Sequence, residues 1–472
     1  LAFKREPMHI TLIKPNIGVL ADGERYVDAG RMEPLQLGVL AGLTPPSVEL
    51  SLIDDRCEDV PYDCETDLVA ITVETFTARR AYEIAREYRS RKVPVVLGGF
   101  HPTLCPEEAQ EYADSLVIGD AETVWGDLVE DAASGTLKTC YRGTATGRPQ
   151  RGGVLPRRDL FAGKGYLPIT LAQFGRGCGN ACDYCAIGAF SRRCHTVRPV
   201  GEVVREIREQ GRKLVFFVDD NIVADREAAK ELFRALRPLK IKWVSQGTID
   251  MVEDAELMRL MKESGCLGHV IGFETLDPAN LVASGKPNRL DATGDYSEKI
   301  KVLKSYGLQT WAAFTLGYDN DTVESLDELL RFSLRHKFTF AAFNVLMPYP
   351  GTPFYDRLKR EERLLYDGRW WLHPDFCFNH APFVPLRMSP EELTKTAFDI
   401  RRRWNAPLSL VRRFLDVRTN LRSLSAMAMF WSYNRLFRKE TFRKQGMGFG
   451  YFGETHARVA RQDRQFAAGR RH

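Results

Sequence analysis

Three cysteines within one short loop constrain this chain more than anything else in it. Residues 174–190 read Phe-Gly-Arg-Gly-Cys-Gly-Asn-Ala-Cys-Asp-Tyr-Cys-Ala-Ile-Gly-Ala-Phe, so that Cys178, Cys182 and Cys185 stand in a C-x3-C-x2-C spacing. Glycines flank them at Gly175, Gly177, Gly179 and Gly188. The run 171–174 just before predicts a strand end. The thiols then sit on a glycine-rich loop at a strand's carboxyl end, where α/β sheets place their chemistry. A tetrahedral zinc site wants four protein ligands, and no second Cys-x2-Cys pair exists to complete a ribbon. A [4Fe–4S] cluster usually takes four cysteines. Three would leave one iron open to an exogenous ligand, and Cys194 lies outside the spacing.

Around this loop the chain alternates apolar runs with amphipathic ones. Strands are predicted at 8–15, 48–53, 67–73, 93–97 and 115–118. Helices are predicted at 35–43, 79–91, 106–112 and 122–133, the second with Ala81, Ile84, Ala85 and Tyr88 on one face. Such alternation gives a parallel, doubly wound sheet with its ligand at the strands' carboxyl ends. The rhythm resumes with strands at 169–174, 214–219, 241–247, 269–273, 309–316 and 341–347. Helices at 200–210, 226–236, 254–264, 297–306 and 322–335 lie between them, giving six βα units, a partial (β/α)6 barrel. The expected order is a Rossmann-like domain at 1–140, a Gly-, Arg- and Pro-rich linker at 141–168, the barrel at 169–353 and an extension at 354–472. The extension opens with Trp370, Trp371, His373, Phe376, Phe378 and Phe383, read mainly as core, turns helical over 389–446 and ends in a frayed tail.

At 472 residues, 44% hydrophobic and 27% charged, the chain has the composition of a soluble globular protein of two or three domains. Its apolar runs fall far short of a membrane span. No secretory leader is expected, since the apolar run 10–13 meets Lys14 and Pro15 at once. Ten cysteines without a regular framework point to a reducing cytoplasm. Net charge is only +5, yet residues 401–472 carry 17 Lys and Arg against 4 Asp and Glu. A basic tail fits nucleic acid or an anionic membrane, but no nucleic-acid-binding motif accompanies it. The apolar and basic stretch 421–437 leaves two readings open, an interfacial amphipathic helix touching a membrane or, as favoured, a helix packed on the barrel.

The cysteine spacing, with the aromatic Tyr184 before the third thiol, resembles the radical SAM superfamily. There the open iron chelates S-adenosylmethionine (SAM). Gly98-Gly99-Phe100-His101-Pro102-Thr103, followed by Pro106-Glu107-Glu108 and by Gly119-Asp120-Ala121-Glu122, resembles the cobalamin-binding domain of cobalamin-dependent members. Pro156-Arg157-Arg158-Asp159-Leu160 and Pro348-Tyr349-Pro350-Gly351-Thr352-Pro353 are similar to segments that bracket the barrel in that branch. The resemblance implies cluster ligands at Cys178, Cys182 and Cys185. It implies SAM contacts at Tyr184, Asp219, Asp220, Asn221, Gln246, Glu274 and Gly317, mostly on strand ends. It implies cobalamin contacts at Gly98, Gly99, His101, Thr103, Gly119 and Glu122. The Asp-x-His-x-x-Gly cobalt motif is missing; the nearest loop reads Asp54-Asp55-Arg56-Cys57. The turn holding Thr72, Glu74 and Thr75 is then expected to cover the lower cobalt face. Physically, Gly98 and Gly99 are expected to let the backbone approach a large ligand.

The resemblance further implies that reductive cleavage of SAM yields a 5′-deoxyadenosyl radical, which takes a hydrogen atom from an unactivated carbon. Methylcobalamin then supplies the methyl group. The expected function is C-methyl transfer to a small, hydrophobic molecule, with electrons from a flavodoxin- or ferredoxin-type donor. The alternative is cyclisation, oxidation or rearrangement without net methyl transfer. A methylthiotransferase would need a second cysteine-bound cluster, and the residues around Cys57, Cys64 and Cys105 do not match one. A non-catalytic iron–sulfur scaffold would not need the polar strand ends.

Overall fold

Mostly apolar strands three to nine residues long, separated by helices with one apolar face, build two parallel sheets. The computed structural model describes residues 7–451 except 21, 29, 144–152, 287–289 and 291–294. Two compact units form. One is Leu1–Leu167 with Tyr366–Phe378 and Lys444–His472; the other is Pro168–Leu365 with Asn379–Arg443.

In the first unit the chain runs through β1 (His9–Lys14), β2 (Gly18–Val19), α1 (Leu35–Leu43), β3 (Glu49–Asp54), β4 (Leu68–Thr72), α2 (Ala78–Ser90) and β5 (Val95–Gly98). It continues through the short helices α3 (Phe100–Leu104) and α4 (Pro106–Gln110) to β6 (Ser115–Ile118), α5 (Trp125–Ala133) and β7 (Cys140–Arg142). Six strands pair in the order β3-β1-β4-β5-β6-β7, all parallel. Ala81, Ile84, Ala85 and Tyr88 of α2 are buried as the periodicity predicts. After β5 the chain winds into α3, for which no helix is predicted, with Gly99 at φ +110° just before it.

Two expected boundaries are corrected. The linker at 141–168 is not a bare spacer: β7 adds a sixth strand, and Phe161 joins the core under the sheet. The Phe161 ring lies where a side chain at Gly38 would come within 2.8 Å, so glycine is needed there. Residues 144–152 of that linker lie outside the described residues. Nor do residues 354–472 form one extension. Tyr366–Phe378 and the chain from Lys444 return to the first unit, where Gly448–Phe449 pairs antiparallel with β2. Phe76 packs there on Trp370, Phe378 and Phe449 at ring distances of 5.1–5.7 Å. Burying aromatic area is what calls this distant segment back. Of the tail expected to fray after Gly446, residues 447–451 are ordered, and the rest lies outside the described residues.

The second unit begins with β8 (Thr170–Ala172), β9 (Gly175–Gly177), α6 (Ala186–Phe190), β10 (His195–Val197), α7 (Val200–Gln210) and β11 (Leu214–Phe217). Then come α8 (Arg226–Leu236), β12 (Lys242–Gly247), α9 (Ala255–Glu263), β13 (Cys266–Glu274), α10 (Pro278–Ala283), α11 (Ser297–Ser305), β14 (Gln309–Leu316), α12 (Val323–His336) and β15 (Phe340–Val345). Strands β8, β11, β12, β13, β14 and β15 lie side by side in chain order and all parallel. That is the topology of an unclosed (β/α)6 barrel. After α13 (Pro353–Arg360) the unit is completed by α14 (Pro390–Trp404), α15 (Pro407–Phe414) and α16 (Leu424–Arg443). Among the described residues no helix is long and apolar enough to cross a membrane.

Arg413 anchors α15 from a fully buried position. It donates to the Thr339 carbonyl (2.8 Å) and to Asn434 Oδ1 (3.1 Å), and stacks on Trp404 at 4.0 Å. In β13, His269 is 1% exposed against Trp243 and 3.4 Å from Cys266 Sγ. Burial pushes its imidazole down to about 4 from 6.5. The unfolded chain takes up the proton first, so this group's contribution is complete above pH 6.5 and lost as pH falls toward 4. The loss reaches up to about 3 kcal/mol. Urea unfolding at about pH 7 and about pH 5 should show a steeper decline for the native chain than for His269→Phe. Identical slopes would remove His269 from the account.

Candidate functional site

The cysteine loop is clasped at its base. β9 and β10 pair antiparallel, Gly177 opposite His195 and Gly175 opposite Val197, enclosing residues 178–194. Gly177 has φ +81°, and a side chain there would lie 2.1 Å from the Cys194 carbonyl. Directly after β11, Asp219 is wholly buried and accepts the N–H groups of Phe174 (3.0 Å) and Gly175. Asp220 accepts the N–H of Gly177 at 2.9 Å. Burial drives the Asp219 carboxyl up to about 7 despite these bonds. The Asp219 carboxylate holds the loop and has no exposed surface. Asn221, 6% exposed, accepts the Val223 N–H in a local turn.

The three thiols are half-buried and free of disulfides. Burial, and then the charge of Cys185, raises the Cys182 thiol to about 11, with Lys286 opposing; burial likewise raises Cys185, which feels both Cys178 and Lys286. Thiols raised in this way must release their protons when a metal centre binds.

Lys286 is the residue that sequence reasoning missed. Its ammonium lies 2.9 Å from Glu274 Oε1 in a pair about one-tenth exposed. Glu274 Oε2 accepts the Thr315 hydroxyl at 2.6 Å. Glu274 sits at φ +65°, an uncommon conformation for glutamate, beside a register shift in β13. Gly272 makes room for it: a side chain there would meet Glu274 Oε1 at 2.3 Å and Lys286 Nζ at 3.0 Å. The segment carrying Lys286 is laced to the cysteine loop. Asp183 N–H donates to the Ser284 carbonyl (2.9 Å), and Gly285 at φ +66° leaves 2.7 Å between a virtual side chain and the Ala181 carbonyl. The signal for Lys286 was present as a lone cation in Gly285-Lys286 after a strand-end glutamate.

The strands of this sheet alternate in burial. Phe217, Trp243, Ile271 and Phe343 are packed against the helices, whereas Val244, Gln246, Gly272, Ala313 and Thr315 are only half-buried and Asn344 is exposed. An all-parallel sheet usually has both faces covered; this one keeps one face partly open. Gly272, Ala313 and Ala342 stand in register across three strands, a small-residue floor below Glu274. At its edge Gly317 (φ +107°) and Tyr318 donate their N–H groups to Asp321 at 2.8 and 3.0 Å. Tyr184 meets Tyr318 edge-on at 6.1 Å. The structure thus brings the three cysteines, Tyr184, Asp220, Glu274 and Gly317 to one rim, with Gln246 on the open face.

In the first unit, the strand order reverses between β1 and β4, the switch point where open α/β sheets bind ligands. Thr72, Glu74 and Thr75 lie there, and Lys14 at the end of β1 pairs with Glu74 at 2.6 Å. Several other residues expected at the ligand also make contacts within the fold. At Gly99 (φ +110°) a side chain would meet the Val73 carbonyl at 2.9 Å. The Thr103 hydroxyl donates to the Gly99 carbonyl (2.8 Å) and accepts the Gly119 N–H (3.0 Å). His101 is buried, 3.0 Å from Glu108, which also accepts Tyr82 (3.0 Å) and Trp371 (2.9 Å). Gly98 and Glu122 are half-buried near the same strand ends.

Comparison with known proteins agrees with this geometry. Residues 172–333 match the profile of the Radical SAM superfamily. The chain is 30% identical to the bacteriochlorophyllide d C-8(2)-methyltransferase of Chlorobaculum tepidum, over 73% of this chain and 80% of the relative. It is 23% identical to the anaerobic magnesium-protoporphyrin IX monomethyl ester cyclase of Cereibacter sphaeroides, over 71% and 58%. It shares its fold with the cobalamin-dependent S-adenosylmethionine radical enzyme OxsB, solved with aqua-cobalamin, at a TM-score of 0.60, 15% identity and 98% and 84% coverage.

The Lys286 placement is testable without any metal. Lys286→Met removes a cation beside Cys182 and leaves Glu274 uncompensated, so the thiol should become harder to ionise. Alkylation of Cys182 in metal-free protein, followed by peptide mass spectrometry at fixed mild alkaline pH, should slow by about tenfold for each unit of added shift. An unchanged rate would separate Lys286 from the thiols.

Proposed function

Because this chain belongs to the radical SAM superfamily, alongside methyltransferases such as the one just described, we propose that it is a cobalamin-dependent methyltransferase acting on an unactivated carbon of a small, hydrophobic molecule. One observation carries the reading: three coupled thiols beside a buried Lys286–Glu274 pair, at the edge of a parallel sheet with an open face. Cys178, Cys182 and Cys185 fit as the only protein ligands of a [4Fe–4S] cluster, and SAM would complete it. When bound, these groups supply radical chemistry and cobalamin supplies a methyl carrier.

The chain's own residues bind, orient and exclude. Asp219 and Asp220 fix the backbone from which the thiols project. Lys286 offsets negative charge at the thiols and is placed to receive a carboxylate, such as that of an amino acid. Glu274, held by Thr315 and Lys286, offers an acceptor to hydroxyl groups. Tyr184 and Tyr318 close one side of the rim, and the Gly272–Ala313–Ala342 floor leaves room for a flat group. Thr72, Glu74 and Thr75 are the residues proposed to face cobalamin at the switch point, with Gly98, Gly119 and Glu122 at neighbouring strand ends. No acid–base pair is required of the protein. An acidic flavodoxin- or ferredoxin-type donor is proposed to supply electrons.

The cyclase among the relatives supports a second reading, oxidation or ring closure without net methyl transfer. Product mass separates the two: methyl transfer adds one methylene, the alternative does not. Anaerobic purification with cobalamin supplied should give about four irons and about one cobalt per chain. Cys182→Ala should lose the iron and all SAM cleavage while keeping cobalt. Retained cleavage in that variant would sink the cluster assignment, and absent cobalt in the native chain would move methyl transfer behind the second reading.

A further inference from the structure

α15 and its C-cap residue Leu415 present an apolar stripe to solvent. Leu408, Val411 and Leu415 are 61%, 50% and 55% exposed and recur at the spacing of one helix face. The opposite face, with Leu410 and the anchored Arg413, is buried. The stripe continues onto α16: Phe414 packs on Trp431 at 5.1 Å, Trp431 is 46% exposed, and Leu424 at the start of α16 is 82% exposed. Large aliphatic groups this open are unusual in such a group on a water-facing surface.

The charge around the stripe is one-sided. Residues 407–439 contain seven Lys and Arg and a single acidic residue, Asp416. Asp416 is 7% exposed and held by Lys304 at 2.5 Å. Arg412, Arg418, Arg422 and Arg435 are exposed beside the apolar groups. No carboxylate of this segment reaches the surface to oppose a negative partner.

We propose that this face of α15 and α16 seats on an anionic lipid surface. Leucine, valine and tryptophan enter the headgroup boundary while the arginines meet the phosphates. The side-chain mix decides between this and a protein partner. Leucine and valine are under-represented among the residues that carry protein–protein affinity, whereas aliphatic groups with tryptophan and a basic margin are what an interfacial helix needs. A helix of this kind lies in the plane of the interface and need not cross it. The assignment does not depend on the reaction proposed above.

Vesicle sedimentation of the full-length protein tests it. Vesicles of phosphatidylcholine with an equal part of phosphatidylglycerol should bind the protein, phosphatidylcholine alone should not, and binding should fall steeply between about 0.1 and about 0.5 M salt. The double substitution Val411→Glu with Leu415→Glu should weaken binding at least about tenfold with an unchanged melting temperature. Arg418→Gln with Arg422→Gln should weaken it while leaving the apolar stripe intact. Binding that neither pair affects would overturn the proposal. So would a stable dimer, or a complex with an acidic electron-transfer protein, that the glutamate pair abolishes while vesicle binding is absent.

Discussion

Two carboxylates at the end of β11 hold the candidate site together. Asp219 takes the N–H groups of Phe174 and Gly175, and Asp220 takes that of Gly177. These are the backbone groups leading into the first cysteine. A loop rich in glycine has much conformational freedom to lose. Buried side-chain acceptors whose backbone partners would otherwise go unsatisfied are what can fix such a loop in one arrangement. The antiparallel β9–β10 ribbon and the contacts of Ser284 and Gly285 then secure its other sides. Thiols projected from an unheld loop would reach a metal centre in many arrangements, and few would share one cluster.

The second constraint is space. Most parallel sheets fill both faces with helices, and here the face away from α7–α12 keeps small or half-buried side chains. Gly272 shows why composition there matters. Its missing side chain admits the Glu274 carboxylate, which carries positive φ and meets Lys286. A strained strand end, a buried ion pair and a bare glycine are each unfavourable alone. Together they place one acceptor and one cation beside the thiols, at the edge where a polar ligand would meet an apolar floor.

Much of this was legible in the residues. The period of the apolar runs located β14, α7 and α8 to the residue, because long periodic segments leave little choice of boundary. The cysteine spacing located the loop. What stayed illegible depended on distance. Polar strand ends such as Phe217-Val218-Asp219-Asp220 read as ligand contacts, but which carboxylate turns inward to a backbone is set by a loop more than forty residues away. Gly99 read as a place for a ligand to approach, and its close packing on Val73 was not legible. Lys286 lies twelve residues beyond Glu274, across α10, and nothing local announces the pair. Trp370 and Trp371 were legible as core, but not as core of the first unit.

That last feature bears on how the chain is made. The first unit includes Tyr366–Phe378, whose Trp371 donates to Glu108, and Gly448–Phe449, which pairs with β2. During synthesis its six-stranded sheet is complete by residue 142, yet three hundred more residues must leave the ribosome before its last contacts can form. In between, the whole second unit emerges and can fold. The body made first is finished last, and a chain stopped anywhere before residue 448 leaves β2 without its partner strand.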